Sequence, residues 1–413
     1  MRIGFVGNTN NYPFRLARAI QALGHDVVFL VDRPRHEPRH RPESHYEDVP
    51  YPYPNWIREM PALSPLRNAL YPWTLRSELS VLGACDGVIL NGLALSLGTS
   101  IKRPIIGLLT GSDLDVFANP KLVDVLAAAP YRVERVFGNR FFREGMNLCK
   151  RFIFRRFIAL QRAGIAKCSL VEYALPGLIP EGDALLRELG IDERRRACFM
   201  LTDINNLPPS RGRADGVFRV FCATRLQLKR STVGARISAL DGKGTDVMLE
   251  GLRMFVSRAQ RSVNIHLISF GSDADAVERQ VKDMGLGDYV SWHPELSQRE
   301  FLAELAQADV VLENFGSDSC IGMAGRDAMA IEKPVVAWGK SAVFERALGE
   351  TLPIYEAKTA SEIAAHLDRI VNNPVEVAAY SARGRQFAMR WFSVRKAAER
   401  CIEVFQQCRR TDP

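Results

Sequence analysis

No Cys-x-x-Cys pair occurs in the sequence; its eight cysteines, at 85, 149, 168, 198, 222, 320, 401 and 408, are scattered. That spacing argues against a cysteine zinc site or a disulfide framework, and it fits a reducing cytoplasm. No apolar run reaches the roughly 20 residues that a membrane-spanning helix needs. The amino terminus lacks the form of a signal peptide: residues 1–7 read as a buried strand, and polar loop residues follow at once. The first loop, Gly7-Asn8-Thr9-Asn10-Asn11, has asparagines where a dinucleotide fingerprint needs glycines, so the nicotinamide reading is weak. Asp241-Gly242-Lys243-Gly244 lacks the Ser or Thr that follows the lysine of a P-loop. Short internal repeats and low-complexity tracts are absent as well.

What is present is a long chain with an uneven charge. At 413 residues it exceeds what a single core holds, so two domains or more are expected. The net charge of +8 sits in one stretch: between Arg132 and Lys167 there are ten basic residues against Glu134 and Glu144. The remainder is near neutral, which excludes a general affinity for nucleic acid and leaves one local basic surface. A helix is predicted over 141–163, with aromatics interleaved among arginines. Either it lies in an anionic lipid interface or its apolar stripe packs on the domain. Residues 33–72 are rich in proline, histidine and aromatics with little periodicity, which suits an acceptor-binding loop or loose surface packing. His36, His40 and His45 lie on no predicted helix, and a metal site there is disfavoured.

Apolar strands alternate with helices in both halves, so the fold class is α/β. Strands 85–90 and 104–109 precede Thr110-Gly111-Ser112-Asp113-Leu114-Asp115, at the carboxyl end of a sheet, where open α/β sheets bind ligands. The pair Asp113 and Asp115 is also a candidate for Mg²⁺, though such pairs recur by chance. The stretch 311–339 reads strand, loop, helix, strand. Gly316, Ser317, Ser319 and Gly322 are small enough for a ligand to approach the backbone. The following helix start suits a phosphate. An ordinary strand–loop–helix unit without a ligand gives the same pattern.

The second half resembles the retaining glycosyltransferases of family 4, which have the GT-B fold. Thr224-Arg225-Leu226 and Lys243-Gly244 are similar to that family's Gly-Arg-Leu strand end and Lys-Gly helix start. The passage from His293-Pro294-Glu295-Leu296 to Ala308-Asp309-Val310 is similar too. The family's paired glutamates, eight positions apart, fall on Ser319 and Asp327, with Gly322 on the intervening glycine. Asp327 keeps a carboxylate one methylene shorter; Ser319 does not, and Asp318 or Glu313 is the stand-in available nearby. In the first half, Leu23-Gly24-His25-Asp26-Val27 and Thr110-Gly111-Ser112-Asp113 look like family passages, with Thr110 where a sugar-contacting histidine stands.

The resemblance implies two Rossmann-like domains facing a cleft: 1–212 on the acceptor side, 213–385 for the donor, and 386–413 as a helix returning to the first domain. It implies transfer of a sugar from a nucleotide diphosphate sugar to an acceptor hydroxyl, with retention, in cell-surface glycan synthesis. Arg225 and Lys243 are the expected catalytic cations, and the amides near Gly322 and Met323 the dipoles facing the leaving diphosphate. Asp327 is expected on the ribose, and Gly7, Asn8, Asn11, Thr110 and Ser319 at the donor. No cofactor and no metal is called for, since the nucleotide sugar is a substrate. A glycan or lipid-linked acceptor, a cytoplasmic location and an anionic membrane surface bound through 132–167 complete the expectation. The alternatives are a nucleotide-sugar-binding protein with a degenerate site, or a sugar-nucleotide epimerase.

Overall fold

A computed structural model describes residues 1–33, 41–128, 140–211, 215–228, 242–316 and 320–411. Two parallel sheets account for its strands. The first comprises β1 (Arg2–Val6), β2 (Asp26–Asp32), β3 (Ile57–Met60), β4 (Gly87–Asn91), β5 (Ile105–Leu108), β6 (Leu170–Glu172) and β7 (Arg196–Ala197). Their spatial order is β3-β2-β1-β4-β5-β6-β7. The second comprises β8 (Phe218–Cys222), β9 (Val263–Ile268), β10 (Val290–His293), β11 (Val310–Leu312), β12 (Val335–Ala337) and β13 (Tyr355–Glu356), in the order β10-β9-β8-β11-β12-β13. Each sheet thus runs outward in one direction from its first strand and then restarts on that strand's other side. This is the doubly wound arrangement, with its ligand crevice at the reversal point.

The strands are short apolar runs because helices cover both faces of a parallel sheet. All five residues of β4 are buried, as are all three of β11. In the second sheet, helix Thr245–Val256 puts Met248, Leu249, Leu252 and Phe255 into the core, each stabilising by roughly 1.5–3 kcal/mol. Helix Ala360–Asn372 crosses it closely, since a Cβ on Gly251 would stand 2.8 Å from Ile363.

The chain divides into two compact units. One holds Met1–Tyr173, Pro180–Cys198 and Arg395–Pro413; the other holds Ala174–Ile179 and Phe199–Val394. The expected boundaries at 212/213 and 385/386 both fall inside the second unit. The last helix, Val394–Thr411, lies mostly in the first unit, where Phe405 fills the space a side chain at Gly87 would need. Within the irregular stretch 33–72, the structure adds edge strand β3 and helix Pro65–Leu70. Among the described residues no helix is long and apolar enough to cross a membrane.

Candidate active site

In the second unit, β8 and β11 are neighbours at the point where strand order reverses. The chain leaving β8 is pinned by its backbone: Ala223 N–H donates to Leu312 O at 3.0 Å, and Leu226 N–H to Phe270 O at 2.8 Å. Between them Thr224 donates its hydroxyl to Asn314 Oδ1 at 3.2 Å, and Arg225 is exposed. Leu226 itself is buried.

Lys243 arrives by a second route. Phe315 N–H donates to Lys243 O at 2.9 Å, so the loop before helix Thr245–Val256 lies along the end of β11. The approach needs glycine on both sides. A Cβ on Gly316 would stand 1.7 Å from Gly242 O, and one on Gly244, whose φ is +70°, would stand 2.5 Å from the Phe315 carbonyl carbon. Gln227 N–H donates to Thr245 Oγ1 at 2.9 Å and ties the Arg225 segment to the same helix start.

The third part is helix Met323–Ala330, whose N-cap Gly322 has no side chain to cap it. Glu313, immediately beyond β11, does so instead: Gly322 N–H donates to its Oε2 at 2.8 Å. Burial pushes the Glu313 carboxyl above its ordinary range, while the Gly322 amide and the charges of Lys243 and Arg326 pull the other way. Arg326 is buried and donates through Nε to Gly322 O at 3.0 Å. The Gly322 amide, expected to face a leaving diphosphate, is therefore already taken. Met323 begins the helix's first turn, and Asp327 is buried further along it. Ser319 lies outside the described residues. Glu313 was readable only as a nearby stand-in, and Arg326 was not singled out; an isolated arginine in a short helix gives no signal in sequence.

The first unit has its own polar site at the carboxyl ends of β1, β4 and β5. Gly7, at φ +87°, packs where a Cβ would stand 2.2 Å from Asn91 O. Asn10 and Asn11 hold left-handed φ values of 52° and 55°, a conformation asparagine tolerates better than most residues. Buried Asn8 donates to Asn11 Oδ1 at 2.6 Å, and Asn11 donates to Arg41 O at 2.9 Å. The side chains of Asn8 and Asn11 thus brace the loop on itself.

Thr110 donates its amide to Asp113 Oδ1 at 2.9 Å, and Gly111 N–H donates to the same oxygen at 3.0 Å. Gly92 N–H reaches Asp113 Oδ2 at 3.3 Å. Burial pushes the Asp113 carboxyl up to about 6. Its oxygens accept from the backbone of the loop.

Residues 232–373 match the model of the family described as "Glycosyl transferases group 1". The whole chain is similar in structure to sucrose-phosphate synthase from Thermosynechococcus elongatus, at 16% identity and TM-score 0.61, covering 99% of each chain. HepE from Anabaena, solved with UDP and glucose, is similar at 15% identity and TM-score 0.61, over 100% of this chain and 99% of that one. The chain has the GT-B glycosyltransferase fold. An MMP α-(1→4)-mannosyltransferase of Mycolicibacterium hassiacum is 26% identical over 193 residues, 44% of this chain. That match spans 45% of the relative, a little under half its length. The GT-B likeness extends over both sheets, whereas the sequence match to group 1 is confined to the second half.

Proposed function

We propose that this chain is a glycosyltransferase of the retaining family 4 type, moving a sugar from a nucleotide diphosphate sugar to an acceptor hydroxyl in cell-surface glycan synthesis. The observation that carries it is the backbone fixing of Lys243 against the end of β11, beside the start of helix Met323–Ala330. When the bond between the anomeric carbon and the diphosphate oxygen breaks, its electron pair stays on the diphosphate. A new bond forms to the acceptor oxygen, whose proton is lost. Fixed cations and helix-start dipoles near the leaving group are the chief source of acceleration.

Lys243 and Arg225 are the cations in this reading, and the first turn from Met323 supplies dipoles. Asp327 holds the ribose hydroxyls, and Ser319 stands in the donor loop. Gly7, Asn8, Asn11 and Thr110 carry the same donor-binding proposal in the first unit. With two side-chain cations at the diphosphate, the transfer calls for no metal there.

A lipid-linked acceptor at the cytoplasmic face of an anionic membrane is supported by helix Arg140–Lys167. Leu148, Phe152, Arg155, Ala159 and Arg162 follow helical spacing along one face, and Leu148 and Phe152 are exposed. Arg155 and Arg162 also line a pocket of about 300 Å³ with Pro120, Val123, Asp124 and Ile158.

Calorimetry with uridine and guanosine diphosphates, run beside transfer and donor-hydrolysis assays, tests the reading. Binding with turnover supports it. Tight binding without turnover over a panel of acceptors points to a binding protein, and an epimerised donor without acceptor points to an epimerase.

A further inference from the structure

A cluster of metal-ligating side chains stands in the second sheet, apart from the groups assigned to sugar transfer. His266 lies in β9 and His293 ends β10. The parallel register pairs Ser291 with His266, so residues 266 and 293 share one face of the sheet. Their rings stack with centroids 5.0 Å apart. Helix Gln298–Gln307 packs on this sheet through Phe301 and Phe221, and its start is fixed by a capping box of Ser297 and Glu300. Glu304, one turn on, reaches the two rings.

Glu304 Oε2 is 2.8 Å from His266 Nδ1, His293 Nε2 is 2.9 Å from the same nitrogen, and the carboxylate oxygen and His293 Nε2 are 4.0 Å apart. The two neighbours thus approach His266 Nδ1 nearly at a right angle, and one N–H cannot point at both. A cation satisfies all three lone pairs. The point about 2.0 Å from all three atoms, the usual zinc–ligand distance, lies on the line between Glu304 Oε2 and His293 Nε2. A small swing of these partly open side chains is therefore needed to reach the tetrahedral angles zinc prefers. Hydrogen bonding to His266 holds the Glu304 carboxyl below its ordinary range. Arg219 also acts on Glu304, and its own charge is paired with Asp215 at 3.5 Å. His266 is buried, whereas the side chains of His293 and Glu304 are partly open and leave room for water as a fourth ligand.

We propose that His266 Nδ1, His293 Nε2 and Glu304 Oε2 form a binding site for a divalent ion of the zinc class. Two imidazoles and one carboxylate suit zinc and cobalt better than magnesium or calcium, which prefer oxygen ligands. Such an ion cross-links edge strand β10 and helix Gln298–Gln307 to β9, and it takes no part in the proposed transfer.

The test uses the full chain without an affinity tag, treated with chelator and titrated near neutral pH with Zn²⁺ by calorimetry and with Co²⁺ by visible absorption. One ion per chain, intense tetrahedral cobalt bands and a zinc-dependent rise in melting temperature are expected. His293→Ala and Glu304→Gln, both at partly open positions, each weaken zinc binding by on the order of a hundredfold. Both also abolish the zinc-dependent rise in melting temperature, while the metal-free proteins still unfold cooperatively. No zinc uptake at sub-millimolar concentration, or uptake unchanged in both variants, overturns the proposal.

Discussion

The backbone amide of Gly322 donates to the carboxylate of Glu313 at 2.8 Å. The contact joins the end of β11 to the start of helix Met323–Ala330, in a place where the helix has no capping side chain of its own. It also sets a buried carboxyl, which burial pushes above its ordinary range, under the opposing influence of Lys243 and Arg326.

That pairing makes Gly322 and Glu313 interdependent. A Cβ on Gly322 would stand 2.1 Å from Glu313 Oε1. Gly322→Ala is expected to cost about 1–3 kcal/mol in urea unfolding, the range for overpacking. Glu313→Ala is expected to cost a similar ~1–3 kcal/mol by leaving the amide without its acceptor. Unchanged unfolding midpoints in both variants contradict a structural role for the contact.

The catalytic assignment separates activity from folding. Arg225 is exposed and Lys243 half-buried, so neither side chain carries much of the core. Lys243→Ala and Arg225→Ala are each expected to lower the transfer rate by on the order of a hundredfold or more, with melting temperatures close to the parent's. Transfer near the parent rate in Lys243→Ala would falsify the assignment.

Asp113 gives a pH signature in the first unit. Its folded value of about 6 lies above the ordinary 3.8. The folded state therefore holds the proton more tightly between those values. The resulting stability is fully present below the lower value and is lost as pH rises through the upper one. The unfolding free energy of the parent, relative to Asp113→Asn, is expected to fall by roughly 1–3 kcal/mol between pH 4 and pH 7. A difference that stays flat across that window rejects the shift.

Much of this architecture was legible in the sequence because parallel strands buried on both faces read as continuous apolar runs, as Val310–Leu312 does. Edge strand β3 was not, since Arg58 and Glu59 interrupt it and its apolar ends are only two residues. Arg225 and Lys243 were expected from the family resemblance, and they lie just after β8 and just before helix Thr245–Val256 as it implies. The role of Glu313 did not follow: its partner Gly322 is nine residues away across a loop, and no periodicity links the two. Arg326 was hidden for a related reason, because its bond to Gly322 O is made within one helical turn and leaves no mark on amphipathicity. Phe152 reads as part of an apolar stripe, but Phe154, Phe157 and Ile158 fill the core while Phe152 is left 59% exposed.

That exposure carries the membrane prediction. Leu148 and Phe152 stand on the same face as Arg155, an arrangement suited to an interface between acyl chains and anionic headgroups. In flotation with vesicles containing phosphatidylglycerol, the parent is expected to float at low salt and to be released as salt rises. Phe152→Glu is expected to abolish flotation without changing the unfolding midpoint. Equal recovery of the parent with neutral and anionic vesicles argues against the surface.

Gly316 offers the sharpest test of how Lys243 is held, because it touches the site only through backbone. A Cβ there would meet Gly242 O at 1.7 Å, a separation no rotamer can relieve. The loop carrying Lys243 must retreat from β11, and the Phe315 amide then loses its acceptor. Gly316→Ala keeps both cations and is nevertheless expected to lose transfer on the scale of Lys243→Ala, on the order of a hundredfold, because misplacement of a charged group by about an ångström costs that much. Adding Lys243→Ala to Gly316→Ala should then lower the rate little further, since the two act through one contact. Full additivity of the two losses shows instead that the glycine and the lysine act separately, and that backbone fixing of Lys243 is not what the site depends on.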